Sequence, residues 1–358
     1  MSSNPPDTRT HAAALRLALK ALTATLLLAA LLAGAAVFDI RRYAETRWDP
    51  PSSEEYLLTV TSGSHLRSVA AQLAEMGLIR SPLRFRIYAR ATGIHRQIKA
   101  GEYNFVGANT PREILDRLVE GRVKLHRITV PEGFALRQIA DLVAEAGFSD
   151  TETFITAATD AEIARGLGID AETLEGYLFP DTYYFPRETP VKDILAAMVK
   201  RFEAVMTVER LARAESLGLS VHEVVTLASI IEKETGVDSE RPLISSVFHN
   251  RLRKGMRLQT DPTVIYGIDD FDGNITRRHL RTPTAYNTYV IKGLPPGPIA
   301  SPGEAAIEAA LFPADTDFIF FVSRNDRTHH FSSSLEEHQE AVRRYQLGGR
   351  RRTGKAPQ

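Results

Sequence analysis

Leu227 to Gly267 read LASIIEKETGVDSERPLISSVFHNRLRKGMRLQTDPTVIYG: an apolar segment that runs into two carboxylates, followed by a polar Gln259-Thr260-Asp261-Pro262 loop. Just upstream, Ser220 and Glu223 stand in the S-x-x-E spacing of a capping box, so a helix is predicted to start there. Gly236 is placed to stop it as a C′ residue. At about 100° per residue, Val224, Leu227, Ala228 and Ile231 share one face, widened by Val225 and Ile230. Lys233 points the opposite way, toward water. Glu234 lies three and four residues after Ile231 and Ile230 and seven after Leu227, so its neighbours one and two turns back are apolar. Glu232 stacks instead on Ser229 and Ala228.

A carboxyl held among apolar side chains, at the negative end of a helix dipole, titrates above its ordinary range and can donate a proton near neutral pH. Both conditions single out Glu234 over Glu232 as the acid. The competing reading makes both of them solvated carboxylates in a frayed last turn, as most charges are.

Five blocks widen the pattern: Gly176-Tyr177-Leu178-Phe179-Pro180-Asp181-Thr182-Tyr183, the Glu232-Lys233-Glu234-Thr235 block, Arg257 to Tyr266, Pro283 to Tyr289, and Gly293 to Ile299. Through these, in this order, the chain resembles the YceG-like family of endolytic murein transglycosylases from about Leu57 to about Tyr345. The resemblance implies a membrane-anchored enzyme that cleaves peptidoglycan glycan strands between MurNAc and GlcNAc and needs no cofactor. The second Glu of the Glu-Lys-Glu-Thr block is the family's catalytic acid, which maps onto Glu234 and agrees with the helix argument. Cell-wall synthases of the penicillin-binding type are partners implied by the family alone.

Cleaving a glycosidic bond requires protonation of the leaving oxygen and stabilisation of an oxocarbenium-like transition state. A hydrolase adds a second carboxylate. A lytic transglycosylase does not, because the substrate's own C6 hydroxyl attacks C1 and leaves a 1,6-anhydro ring. One Glu then serves as acid and later as base. Gln259 and Thr260 are candidates to hydrogen-bond sugar hydroxyls or N-acetyl groups, and Glu232 is assigned with them to substrate binding. Tyr286 and Asn287 resemble the Ala-Tyr-Asn segment of lysozyme-like lytic transglycosylases, whose Tyr orients the catalytic carboxyl. Asp261 precedes Pro262 and is read as fixing a turn, with a catalytic role as the alternative. Tyr177, Tyr183 and Tyr184 are read equally as sugar-groove or core residues. Arg251 is read as solvent-facing, with a peptide-stem carboxylate as its alternative partner. His329-His330 is not read as a metal site, since strand spacing puts the two on opposite faces with no carboxylate to complete a set. Pro295-Pro296-Gly297-Pro298 is expected to shape a rigid loop near the site.

Composition sets limits. The chain has 358 residues, enough for two or three modest domains, and Lys plus Arg balances Asp plus Glu at 44 each. No net field favours nucleic acid, and no nucleic-acid module is visible. The absence of cysteine excludes disulfides, thiolate metal sites and a thiol nucleophile.

The expected fold class is α+β. Residues 1–20 are read as a cytoplasmic N-terminus and Ala21 to Phe38, 18 uncharged residues, as a transmembrane helix. Flanking charges support an N-in orientation only weakly, since Arg41, Arg42 and Arg47 follow the span. Ala33-Gly34-Ala35 leaves a cleaved signal as the alternative. A retained span puts the protein in the cell (inner) membrane with its catalytic part on the periplasmic side. Residues 39–53 form a linker, stiff from Trp48 to Ser53. Residues 54–107 show a β-α-α-β order that resembles a LysM domain: a strand at Tyr56–Val60, helices over Leu66–Met76 and Pro82–Ala91, and a strand at Ala100–Phe105. Residues 108–345 are assigned to a mixed α/β catalytic domain. Its expected elements include an extended Tyr177–Tyr184, one long helix over Val191–Ser216, a helix carrying Asn250 and Arg251, and a buried strand at Phe318–Val322. Residues 346–358 are read as a disordered basic tail.

Overall fold

The computed structural model describes residues 8–50, 55–268 and 271–347, and the chain divides into two units between Leu125 and His126. The first unit begins with α1 (Thr8–Glu45), the one helix among the described residues long and apolar enough by itself to cross a membrane. Its Leu15, Leu22, Leu27, Leu31 and Phe38 are all exposed. A small module follows. Strands β1 (Tyr56–Val60) and β2 (Gly101–Phe105) pair antiparallel, Tyr56 opposite Phe105 and Val60 opposite Gly101. Helices α2 (Leu66–Glu75) and α3 (Pro82–Ala91) lie between them in sequence, so the expected β-α-α-β order is present. Helix α4 (Pro111–Glu120), opened by a Thr110–Glu113 capping box, adds Ile114, Leu115 and Leu118 to the same core. That packing places the observed boundary after α4 rather than at residues 107–108.

The second unit is built around one helix. Strand β3 (His126–Thr129) pairs antiparallel with β4 (Thr182–Phe185), with α5 (Leu136–Glu145), α6 (Thr151–Ala158) and α7 (Ala161–Gly166) between them. Helices α8 (Val191–Val205), α9 (Val208–Ser216) and α10 (Val221–Glu234) follow. Every residue of α10 from Val224 to Ile231 is buried, so it is a core helix apolar all round rather than an amphipathic one. Its start is the predicted capping box, with Glu223 N–H donating to Ser220 Oγ at 3.2 Å and Ser220 N–H to Glu223 Oε2 at 2.8 Å. Helix α13 (Glu304–Leu311) packs along it through Ala306, Ala309 and Ala310, small residues that let two helices approach closely. The rest comprises α11 (Arg241–Arg253), α12 (Asp261–Tyr266), the hairpin β5 (Phe320–Ser323)–β6 (His329–Ser332), and α14 (Leu335–Val342).

Four local expectations are corrected. The helix expected over Val191–Ser216 is two, because the chain breaks at Met206 and Thr207 caps α9 with its side chain. Within Tyr177–Tyr184 only the end is extended; Glu175 to Tyr177 form a turn. Phe318–Val322 is not a buried strand: β5 starts at Phe320, pairs only with β6, and buries Val322 alone. Gly236 is not a left-handed cap. Helix α10 ends when Thr235 turns extended, with φ −145° and ψ 139°, and Thr235 Oγ1 accepts the Val237 N–H at 3.0 Å. Residues 39–45 of the expected linker continue α1, and Trp48 N–H donates to Asn109 O at 3.1 Å. Residues 51–53 of that linker and 348–358 of the expected tail lie outside the described residues, whereas 346–347 end a helical turn over Arg343–Leu347 rather than a disordered tail.

Gly176 shows how tightly α10 is seated. It has φ +84°, and a Cβ there would overlap the Pro298 ring and come within 3.0 Å of Val225 Cγ1 on α10. Left-handed strain and overpacking act together, so Gly176→Ala should lower unfolding free energy by at least roughly 2 kcal/mol. Denaturant melts showing a change under about 0.5 kcal/mol would contradict this packing.

Candidate active site

Glu234 is the last residue of α10 and opens into a cavity of about 530 Å³ with Arg251, Gln259, Asp261, Tyr289 and Phe320. A second cavity of about 430 Å³, lined by Thr235 to Val237 and Arg327, shares Glu234, Ser323 and His329 with the first. The carboxyl thus stands where two chambers meet.

The 257–263 loop reaches this carboxyl through a set of buried threonines. Gln259 N–H donates to Thr288 O and Thr260 N–H to Thr288 Oγ1, both at 3.1 Å. Thr263 Oγ1 donates to Thr260 O at 2.8 Å. Held this way, Thr260 donates its hydroxyl hydrogen to Glu234 Oε1, while Oε2 has no hydrogen bond among the described residues. Gln259 pays for the approach with a left-handed backbone, φ 53°, uncommon for a residue with a side chain.

Burial pushes the Glu234 carboxyl up to about 7 from its ordinary 4.5, against the stabilising Thr260 hydrogen bond. The Asp261 carboxylate adds to the rise and His329 opposes it. Asp261 accepts the Tyr289 hydroxyl at 2.7 Å. His329 is anchored outside the cavity by Glu240, whose two oxygens accept its backbone N–H at 2.8 Å and contact its Nδ1 at 2.7 Å. The cavity therefore contains a protonatable carboxyl beside a hydrogen-bonded carboxylate, with polar groups and an aromatic face at its walls. That equipment suits protonation of a leaving oxygen on a polyhydroxylated substrate.

A family model described as the YceG-like family matches residues 58–344. The chain belongs to the YceG-like family. It is similar to the endolytic murein transglycosylase of Bacillus subtilis (strain 168), 34% identical over 305 residues that cover 80% of this chain and 84% of that one. The endolytic murein transglycosylase of Streptococcus pneumoniae (strain ATCC BAA-255 / R6) is 28% identical over 82% of this chain, which spans 59% of that longer protein. The crystal structure of a YceG-like protein from Listeria monocytogenes superposes with a TM-score of 0.57 at 31% identity, covering 81% of this chain and 99% of that one.

Within this YceG-like chain, Glu234, Thr260 and Gln259 come together as the sequence suggested. Glu232 does not join them: it points off the opposite side of α10, pairs with the buried Arg241 at 3.3 Å and accepts the Gly303 N–H at 3.0 Å. Those bonds tie α10 to α11 and to the start of α13. Tyr286 packs against Tyr266, 4.8 Å between ring centres, and does not line the Glu234 cavity. Asn287 is buried and clamps its own loop, donating to Thr282 O at 2.7 Å and His279 O at 3.1 Å. The tyrosine on the cavity is Tyr289, two residues past Asn287 and inside the same block. Its position depends on that loop clamp, which sequence spacing does not reveal.

Other expectations are revised. Asp261 makes no turn with its carboxylate; it is the first helical residue of α12 and faces the cavity. Arg251 is buried, not solvated, and donates to Ile319 O at 2.7 Å and Leu258 O at 2.9 Å. His329 does have a carboxylate beside it, Glu240. Tyr177 and Tyr183 are packed inside, while Tyr184 is exposed away from the cavity. The Pro295–Pro298 loop supports the far end of α10, where Pro296 O contacts His222 Nε2 at 2.8 Å.

The raised acidity constant has a stability consequence. Between about 4.5 and about 7 the native Glu234 keeps a proton that the unfolded chain releases, so native stability falls as pH rises through that window. Glu234→Gln carries no such term. Its melting temperature should gain on that of the unmodified protein between about pH 5 and about pH 8, equivalent to at most about 3 kcal/mol. A gap that does not change with pH would show an ordinary, solvated carboxyl.

Proposed function

We propose that this protein cleaves peptidoglycan glycan strands endolytically as a lytic transglycosylase, with Glu234 as its single acid–base. The observation that carries the reading is a buried carboxyl, its constant raised by burial, at the meeting of two chambers. Chambers on both sides of the acid suit a strand cut internally rather than from an end. Glu234 donates its proton to the glycosidic oxygen as the C1–O bond breaks. The resulting carboxylate, steadied by the Thr260 hydroxyl, accepts the proton of the muramoyl C6 hydroxyl as that oxygen bonds to C1. The products are a free GlcNAc hydroxyl and a 1,6-anhydro-MurNAc end, with no water consumed. Such cuts would terminate or trim nascent strands, next to wall synthases of the penicillin-binding type.

The protein is proposed to stay in the cytoplasmic membrane through α1, with both folded units on the outer side. Protein extracted from membranes should then retain its N-terminal region; a soluble form beginning near Ala36 would show cleavage instead. The LysM-like assignment of the small module rests on its element order.

A second reading, hydrolysis with Asp261 as base, draws on the same cavity, since Asp261 faces it. Identification of the product ends by mass spectrometry separates the two: anhydro ends for the transglycosylase, reducing ends for the hydrolase. Glu234→Gln should lower turnover by at least roughly two orders of magnitude while glycan binding persists. Full activity there with a dead Glu232→Gln would overturn the assignment. Asp261→Asn removes a negative charge that raises the Glu234 constant, so the alkaline limb of its pH–rate profile should move to lower pH. It should keep substantial activity and the anhydro product. A near-complete loss with unchanged melting temperature and glycan binding would favour the hydrolase.

A further inference from the structure

The small module carries a second cavity, of about 440 Å³, whose wall includes His65, Arg67, Arg90, His95 and Arg96. Among the described residues none of the three guanidinium groups has an ion-pair or hydrogen-bond partner, and His95 Nδ1 is buried with no partner. Elsewhere in this unit Arg47 pairs with Glu113, Arg84 with Asp39 and Arg112 with Glu45. The cavity also meets the start of α2, where no side chain caps the first turn. Free cationic groups converging on a recess beside uncapped helix amides form an anion receptor.

Three contacts fix where this recess lies relative to α1. The Arg80 guanidinium sits 3.5 Å from the Trp48 ring centre, Tyr43 donates to Ser81 O at 3.1 Å, and Arg84 pairs with Asp39 at 3.2 Å. As the chain advances from 80 to 84, its partner on the α1 side retreats from 48 to 39. Helix α3 therefore runs antiparallel to α1, toward the uncharged stretch that ends at Phe38. Arg90, at the far end of α3, and the loop carrying His95 and Arg96 lie at the module's end nearest that stretch. Unpaired arginines at the end of the module nearest a membrane-crossing stretch stand where the headgroups of the leaflet begin.

We propose that this recess binds the phosphodiester headgroup of an anionic phospholipid in the leaflet that α1 enters, seating the small module on the membrane surface. The inference rests on the membrane-anchoring reading of α1.

The test uses the full chain in nanodiscs of phosphatidylcholine alone or with one part in three of phosphatidylglycerol. Backbone hydrogen exchange over residues 63–68 and 93–98 should slow in the anionic discs by roughly fivefold or more, the scale one basic residue gains at an anionic surface. The Arg67→Gln/Arg90→Gln/Arg96→Gln variant should show no difference between the two discs. Equal exchange of the unmodified protein in both discs overturns the proposal without any variant. Protection of the same segments by millimolar inorganic phosphate in phosphatidylcholine discs, with none from phosphatidylglycerol, reassigns the recess to a soluble phosphate and also overturns it. A chain that does not co-purify with discs at all refutes the anchor, a result separable from an anchored chain that ignores headgroup charge.

Discussion

The second unit depends on the complete burial of α10. Most helices in this chain hide one stripe; this one hides every side chain from Val224 to Ile231. Such a helix has no solvated side on which to place a charge, so its polar groups must be satisfied inside the fold. Ser229 Oγ accepts the Ile299 N–H at 3.1 Å, and Thr226 donates to His222 O at 2.7 Å. At the C-terminal end, Glu232 meets Arg241 and Lys233 leaves through Gly133 O at 3.1 Å. Glu234 emerges with no ion pair among the described residues, and its burial is the physical origin of its raised constant.

A raised constant by itself does not mark a catalyst. Glu175 is also pushed up to about 7 by burial, and it stands immediately before one of the family-like blocks. Its two oxygens both accept the Leu136 N–H at 3.1 Å, and Oε2 also takes the Tyr266 hydroxyl at 3.1 Å. It therefore occupies the first turn of α5, where a helix favours a carboxylate, and it lines neither of the chambers that meet at Glu234. Glu234 has one engaged oxygen, one with no hydrogen bond among the described residues, and cavities on two sides. Equal perturbation with unequal access separates a buried brace from a carboxyl open to a cavity.

What the sequence made legible was local. Capping boxes at Thr110 and Ser220, strand alternation in β1, and the placing of Glu232 and Glu234 on different sides of α10 all follow from spacings of two to four residues. The misreadings share the opposite character. Arg251 looks like a surface residue until the chain near Ile319, 68 residues away, brings carbonyls to it. Tyr286 and Tyr289 are three apart in one block, and only the Asn287 clamp decides that the latter reaches the cavity. Asp261 before Pro262 has the signature of a turn, yet α12 starts at it and frees its carboxylate for Tyr289. Long-range hydrogen bonding is not encoded in any short window, and it settles most of the site.

Arg251 ties these misreadings together. Its guanidinium donates to Ile319 O on one side and to Arg257 O, Leu258 O and Gln259 Oε1 on the other, at 2.7 to 3.2 Å. A buried guanidinium stripped of water needs such acceptors, so its burial forces the 257–259 carbonyls toward it. Gln259 is thereby held in its left-handed turn, and the chain direction reverses in time to bring Thr260 onto Glu234. The same cation steadies the approach to β5, which supplies Phe320 to the cavity wall. The raised carboxyl is a product of the helix, and the loop around it is held by the buried threonines on one side and by Arg251 on the other.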